Sequence, residues 1–205
     1  MLTLFHAPGA CSMGIVFLLE ELGVDYQLAP VDLRTGAQHA PEFRQTNPKG
    51  KVPALRLDDG AVLTEFQAIA CWLCRSHGAP GLWPESAMAE ARLLERLDFI
   101  VGSIHARGFT FLAMPQKFTA DPGAQDALRA LGRREIETGF ATLAAQWEAV
   151  PRTPDRIGPD DAALFYVFVW ARALGLALPG PLAAHADALL ARPAARVAMQ
   201  GLADH

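Results

Sequence analysis

Over its first 77 residues the chain switches repeatedly between short apolar runs and apolar residues spaced three and four apart; beyond that only the longer spacing persists. Residues 2–5 (LTLF) are short, largely apolar and closed by Pro8-Gly9, as in a buried strand followed by a turn. In residues 12–22, Met13, Val16, Phe17 and Leu19 follow helical spacing and Gly23 is a stop. Residues 26–31 read as a second strand, and the polar stretch 35–46 as holding a short helix. Residues 52–57 and 61–63 flank Asp58-Asp59-Gly60, a hairpin signal, and a helix follows over 65–77. The order is βαβαββα, an α/β unit over residues 1–78.

Pro80-Gly81 and Pro84 mark a linker over residues 79–85. Residues 86–205 read as an all-α bundle. Ala91, Leu94, Leu97, Val101 and Ile104 recur at helical spacing, as do Ile136, Phe140, Leu143, Trp147 and Val150. Residues 161–174 are apolar on nearly every side, which predicts the buried centre of this second unit. Pro181 suits the first turn of the last long helix, and Pro193 is expected to interrupt that helix near its end.

Hydrophobic residues make up 51% of the chain and charged ones 20%, so it is globular. The net charge is −4 and no Lys/Arg run exceeds two residues, which argues against nucleic acid as a partner. The longest uniformly apolar run, 162–171, is too short to span a membrane as a helix. The N-terminus lacks the basic region of a signal peptide, so a cytoplasmic protein with reduced cysteines is expected.

Cys11 sits between a strand and a helix start, where unpaired N–H groups and the helix dipole favour a thiolate; it reads equally as a small turn residue. Pro53 opens the third strand, and a cis Val52–Pro53 bond would turn the Val52 backbone toward a peptide-like ligand. Thr64 and Gln67 form a capping-box pattern, which would leave the N–H groups of Glu65 and Phe66 as first-turn donors for a carboxylate. Glu65 beside them could hold an ammonium, or serve only as a dipole-favoured acid. Asp98 and His105, seven residues apart, would share one face of an α-helix. Cys71 and Cys74 lie too far inside a helix for redox chemistry and read as packing residues. The histidines form no metal-binding spacing with the cysteines, so no metal is expected.

Together, Pro8-Gly9-Ala10-Cys11-Ser12, Asn47-Pro48-Lys49-Gly50-Lys51-Val52-Pro53-Ala54-Leu55, Leu57-Asp58-Asp59-Gly60, Leu63-Thr64-Glu65 and His105 with Gly108-Phe109-Thr110 resemble the beta-class glutathione transferases of bacteria. The resemblance covers roughly the first 112 residues. It implies a thioredoxin-like N-terminal domain with a cis Pro53, an all-helical C-terminal domain and a homodimer. It implies glutathione, as substrate, held by Lys51, Val52, Pro53, Glu65 and the Phe66 N–H, with Cys11 and His105 near its sulfur. Asp98 stands where the family commonly has Asn reaching the other subunit's glutathione.

Three departures stand out. Phe66 replaces Ser or Gly, so its ring could crowd the site. Gly158-Pro159-Asp160-Asp161 lacks the N-cap side chain of the family's capping box. Residues 151–159 are unusually rich in Pro. Tyrosine-type catalysis is not expected, because the first strand offers Phe5 and His6 and the only tyrosines are Tyr26 and Tyr166.

The expected reaction is conjugation of the glutathione thiolate, stabilised by helix-start N–H groups with Cys11, Ser12 and His105, to a hydrophobic electrophile. Phe109, Phe111, Met114 and Phe118 are candidates for the electrophile site, with Tyr166 or Trp170 behind them; core packing is an equal reading of each. Two alternatives are a glutathione-dependent disulfide or peroxide reductase using Cys11, and a non-catalytic binding or interaction protein.

Overall fold

The short apolar runs pair into one mixed sheet of order β2-β1-β3-β4 in the computed structural model, which describes residues 1–149 and 156–202. β1 (Leu2–His6) runs parallel to β2 (Tyr26–Pro30) and antiparallel to β3 (Ala54–Arg56), which forms a hairpin with β4 (Val62–Thr64). Gly60, at φ 88°, supplies the left-handed turn conformation of that hairpin. α1 (Met13–Leu22) follows β1 and ends at Gly23, whose φ of 63° lets the Gly23 and Val24 N–H groups close onto Glu20 O and Leu19 O. α2 (Pro41–Thr46) and a single 3₁₀ turn occupy the polar stretch before β3, and α3 (Phe66–His77) completes the βαβαββα order. This is the thioredoxin-like arrangement.

The helical part comprises α4 (Ala87–Asp98), a π-helical continuation (Phe99–Phe109), α5 (Thr110–Ala113), α6 (Pro122–Ala149), α7 (Pro159–Ala173), α8 (Gly180–Leu190) and α9 (Pro193–Ala198). Pro193 opens a separate helix rather than interrupting α8; its fixed φ suits a first turn. Most of the Pro-rich segment, residues 151–155, lies outside the described residues.

α7 is the centre, as its all-round apolar character predicts: every residue from Pro159 to Phe168 is buried. At its start only half of a capping box remains, with the Asp161 carboxylate accepting the Gly158 N–H at 3.0 Å. The other carboxylate oxygen of Asp161 meets His185 Nε2 on α8 at 2.9 Å, both side chains being buried. Arg96 on α4 reaches Asp160 at 3.1 Å.

Sheet and bundle share one hydrophobic core. Phe17 of α1 stacks face to face on Phe165 of α7, with centroids 4.4 Å apart and planes 7° from parallel. Arg192, just before α9, donates two hydrogen bonds of 2.6 Å to the Glu21 carboxylate on α1. Gly14 permits the close approach of α1 to α7: a Cβ there would lie 2.4 Å from Ala162 O, 2.8 Å from the Phe66 ring and 2.9 Å from the Tyr166 ring. Because the first obstacle is a backbone carbonyl, Gly14→Ala is expected to cost about 3 kcal/mol. That corresponds to a melting point lower by roughly 6–12 °C, measurable by calorimetry.

Candidate active site

The loop from β1 to α1, the turn before β3, the start of α3, the π segment and α7 meet at one corner. Trp170 on α7 ties the bundle to the loop by donating Nε1–H to Gly9 O at 2.8 Å. Cys11 Sγ faces Val52 O at 3.7 Å across the cis Val52–Pro53 bond, the isomer that the resemblance implies. The Cys11 and Ser12 N–H groups are directed at that sulfur. Burial nevertheless outweighs these donors and the nearby Lys51, and pushes the Cys11 thiol up to about 12. Of the two readings of Cys11, a thiolate at a helix start or a small turn residue, the thiolate is disfavoured at neutral pH, because desolvation of the charge is the larger effect.

Ser12 is fully buried, and its hydroxyl is taken up inside the fold. It lies 2.8 Å from His6 Nδ1 and 3.3 Å from Ala7 O, and accepts the Ala7 N–H at 3.2 Å. What Ser12 presents to the corner is its main-chain N–H. Burial pulls its partner His6 down to about 4, so that ring is neutral.

The start of α3 differs from the expected capping box. Its N-cap is Glu65, not Thr64, and no side chain caps it. The Thr64 hydroxyl instead accepts from Lys49 Nζ at 2.9 Å, and the same ammonium meets the Glu65 carboxylate at 2.6 Å. Local propensity missed this because Lys49 is 15 and 16 residues away from these partners. Glu65 takes φ 73°, the only non-glycine residue with positive φ among those described. Such a conformation costs on the order of 1–3 kcal/mol and concentrates at binding sites. The carboxylate is exposed, and the Phe66 N–H lies in the helix's first turn, where no intrahelical acceptor exists.

The Phe66 ring does not crowd this opening. It is buried, turns inward and packs edge-on against Tyr166 with centroids 5.1 Å apart. Lys51 is exposed, yet close enough to act electrostatically on both Cys11 and His105. Asp98 ends α4, exposed, with its charge felt at Cys71. The wider turns of the π segment remove the α-helical register that would align Asp98 with His105.

His105 Nδ1 lies 3.0 Å from the Tyr166 hydroxyl, and its ring packs edge-on against Trp170 at 5.0 Å. Burial, then Lys117 and Lys51, bring His105 down to about 4. Tyr166 has no exposed surface and is electrostatically coupled to Cys11, which places it behind the thiol rather than on an open wall. Phe109 is likewise core, packed on Phe140 and Trp170. Phe111 stands perpendicular to Phe118 at 4.9 Å, while Phe118 and Met114 are 53% and 41% exposed. Of the apolar candidates, these last three and the partly exposed Trp170 carry surface that a ligand could cover. Among the described residues no three potential metal ligands cluster, and no helix is long and apolar enough to cross a membrane.

Two measurements follow from these protonation states. His6 and His105 hold folded values near 4 against an ordinary 6.5, so the unfolded chain binds more protons between these limits. Their contribution is fully present above pH 6.5 and is lost as pH falls toward 4. Each accounts for roughly 3 kcal/mol, and urea unfolding should lose stability with a slope of up to about 2.7 kcal/mol per pH unit in that window. Cys11 should also alkylate with iodoacetamide at pH 8 more than about tenfold slower than free cysteine, followed by mass spectrometry of the native protein.

Comparison with known proteins agrees with this fold. Residues 9–76 match the model for the glutathione S-transferase N-terminal domain. Glutathione S-transferase GstA of Escherichia coli O157:H7 is 34% identical over 96% of this chain and 94% of its own. A sphingomonad glutathione S-transferase solved in complex with glutathione superposes with a TM-score of 0.81 at 30% identity, covering 98% of each chain. A bacterial beta-class glutathione S-transferase of Sphingomonas chungbukensis gives 0.81 at 27%, covering 98% of this chain and 99% of that one. With this near-complete coverage and the shared βαβαββα-plus-bundle fold, the chain belongs to the glutathione S-transferase family.

Proposed function

We propose that the protein conjugates the glutathione thiolate to hydrophobic electrophiles. The observation that carries this reading is the meeting of backbone N–H donors and a carboxylate acceptor at one corner. The Cys11 and Ser12 N–H groups face the Cys11 sulfur at the start of α1, beside which a ligand thiolate would lie, and the exposed Glu65 carboxylate lies beside the Phe66 N–H at the start of α3. A γ-glutamyl group, carrying an ammonium and a carboxylate on one carbon, matches the second pair. Lys51, Val52 and Pro53 would take the rest of the tripeptide. Holding both ends makes attack by the sulfur effectively intramolecular. Ser12 contributes through its N–H, and the neutral His105 contributes a ring nitrogen. Phe111, Met114 and Phe118 offer apolar surface for the electrophile, with Trp170 behind them.

The finer assignments belong to the same proposal: a beta-class, detoxifying, cytoplasmic homodimer. The exposed carboxylate of Asp98 is available to the glutathione of a partner subunit, where it would meet the γ-glutamyl ammonium with a full opposite charge. The three cysteines are free thiols, which suits a reducing compartment. We place the domain division at residues 79–85, between α3 and α4.

The reductase alternative requires Cys11 as a nucleophile, and its thiol is held protonated by burial. The non-catalytic alternative drew on Phe66, whose ring leaves the opening clear, and on the Pro-rich segment 151–159, most of which lies outside the described residues. The deciding experiment compares conjugation of a chloronitroarene with reduction of a glutathione mixed disulfide. The wild type is expected to carry out the first, and Cys11→Ala should keep conjugation within about tenfold, because the backbone donors remain. Loss of conjugation together with loss of disulfide reduction in that variant would move the assignment to thiol chemistry on Cys11. Retention on immobilised glutathione without turnover would indicate a binding module.

A further inference from the structure

Tyr166 enters the expected reaction only as a candidate behind the electrophile site, yet its hydroxyl is the group that touches His105. The phenol is sealed from solvent, and its one hydrogen-bond partner among the described residues is His105 Nδ1 at 3.0 Å. A phenol carries one proton, whereas a neutral imidazole has one N–H and one lone pair. If Nδ1 carried the proton, it would donate to the phenol oxygen and leave the O–H buried with no acceptor. An unsatisfied buried donor costs about 1–3 kcal/mol. The phenol therefore donates and Nδ1 accepts, which puts the imidazole proton on Nε2.

Nε2 has no partner among the described residues, and it is not sealed, since it is absent from the buried unpaired atoms. The ring is held edge-on against Tyr166 and Trp170, with centroids 5.4 and 5.0 Å away, while Nε2 keeps some access to solvent. Lys51 from the turn before β3 and Lys117 from the turn after α5 act electrostatically on the ring, and Cys11 from the β1–α1 loop acts on its partner Tyr166.

We propose that Tyr166 is a positioning residue that locks His105 in the Nε2–H tautomer, so that His105 serves the reaction as a fixed hydrogen-bond donor to the glutathione sulfur and not as a base. The inference deepens the conjugation reading and rests on it for its ligand. The lock itself is a property of the free protein. With Nδ1 engaged by the phenol and Nε2 already protonated, His105 has no lone pair for the thiol proton, which leaves to solvent. The donor then stabilises the thiolate that remains, as an adjacent acceptor fixes a ligating histidine's tautomer in other sites.

The test begins with two-bond proton–nitrogen NMR correlations of the His105 ring in the full-length, glutathione-free protein, assigned with His105→Gln. A neutral ring protonated at Nε2 is expected; protonation at Nδ1 overturns the proposal. Tyr166→Phe keeps the aromatic packing against Phe66 and Trp170 but removes the donor, and should give a mixture of the two tautomers. In that variant the pKa of the bound glutathione thiol, read from thiolate ultraviolet absorbance, should rise. The ratio kcat/KM should fall about threefold to tenfold with KM for glutathione unchanged. An unaltered tautomer, thiol pKa and kcat/KM in a folded Tyr166→Phe would overturn the lock. Calorimetry with glutathione separates the two levels: absence of binding would sink the conjugation reading, while the free-protein spectra still decide the tautomer.

Discussion

The active corner exists because α7 is apolar all the way round and has nowhere to go but against the sheet unit. Its burial brings Phe165 onto Phe17 at stacking distance and presses Tyr166 toward Gly14, where only a residue without a side chain fits. Fully burying large apolar side chains contributes on the order of 1.5–3 kcal/mol each, so this contact outweighs any single polar interaction at the site. Once α7 is seated, Trp170 reaches the Gly9 carbonyl and Tyr166 reaches His105. The β1–α1 loop is thus held from above by the bundle and from within by the Ser12 hydroxyl and the neutral His6.

The electrostatics of the corner are dominated by desolvation. Cys11 and His105 both shift in the direction that removes charge, one up to about 12 and the other down to about 4. A site built from neutral groups and oriented N–H donors is poor at ionising its own cysteine. It is suited to a thiolate that arrives on a ligand, since preorganised donors act most strongly where water is excluded. The charged residues are kept to the rim. Lys49 and Glu65 pair at the exposed start of α3, and Lys51 and Lys117 stand close enough to His105 to oppose its protonation.

Phe66 illustrates how a departure from a family pattern is absorbed. Loss of a small residue after Glu65 would matter if the ring entered the ligand site, but the positive φ of Glu65 and the inward turn of α3 carry it into the core. There it packs against Tyr166, the residue that contacts His105. The backbone N–H, which the side chain does not alter, stays at the helix start.

Much of this architecture was legible in the amino-acid sequence. Strand and helix periods, the Asp58-Asp59-Gly60 hairpin and the largely buried α7 are local or periodic signals, set by neighbours within a few residues. Tertiary structure alone decided which side chains meet. Lys49 displaced Thr64's capping role, a π segment broke the alignment of Asp98 with His105, and burial decided against the thiolate reading of Cys11. The contacts that define the site join residues 41, 61 and 161 positions apart. No local pattern encodes such pairs, because they arise only when separately formed elements exclude water from the same place.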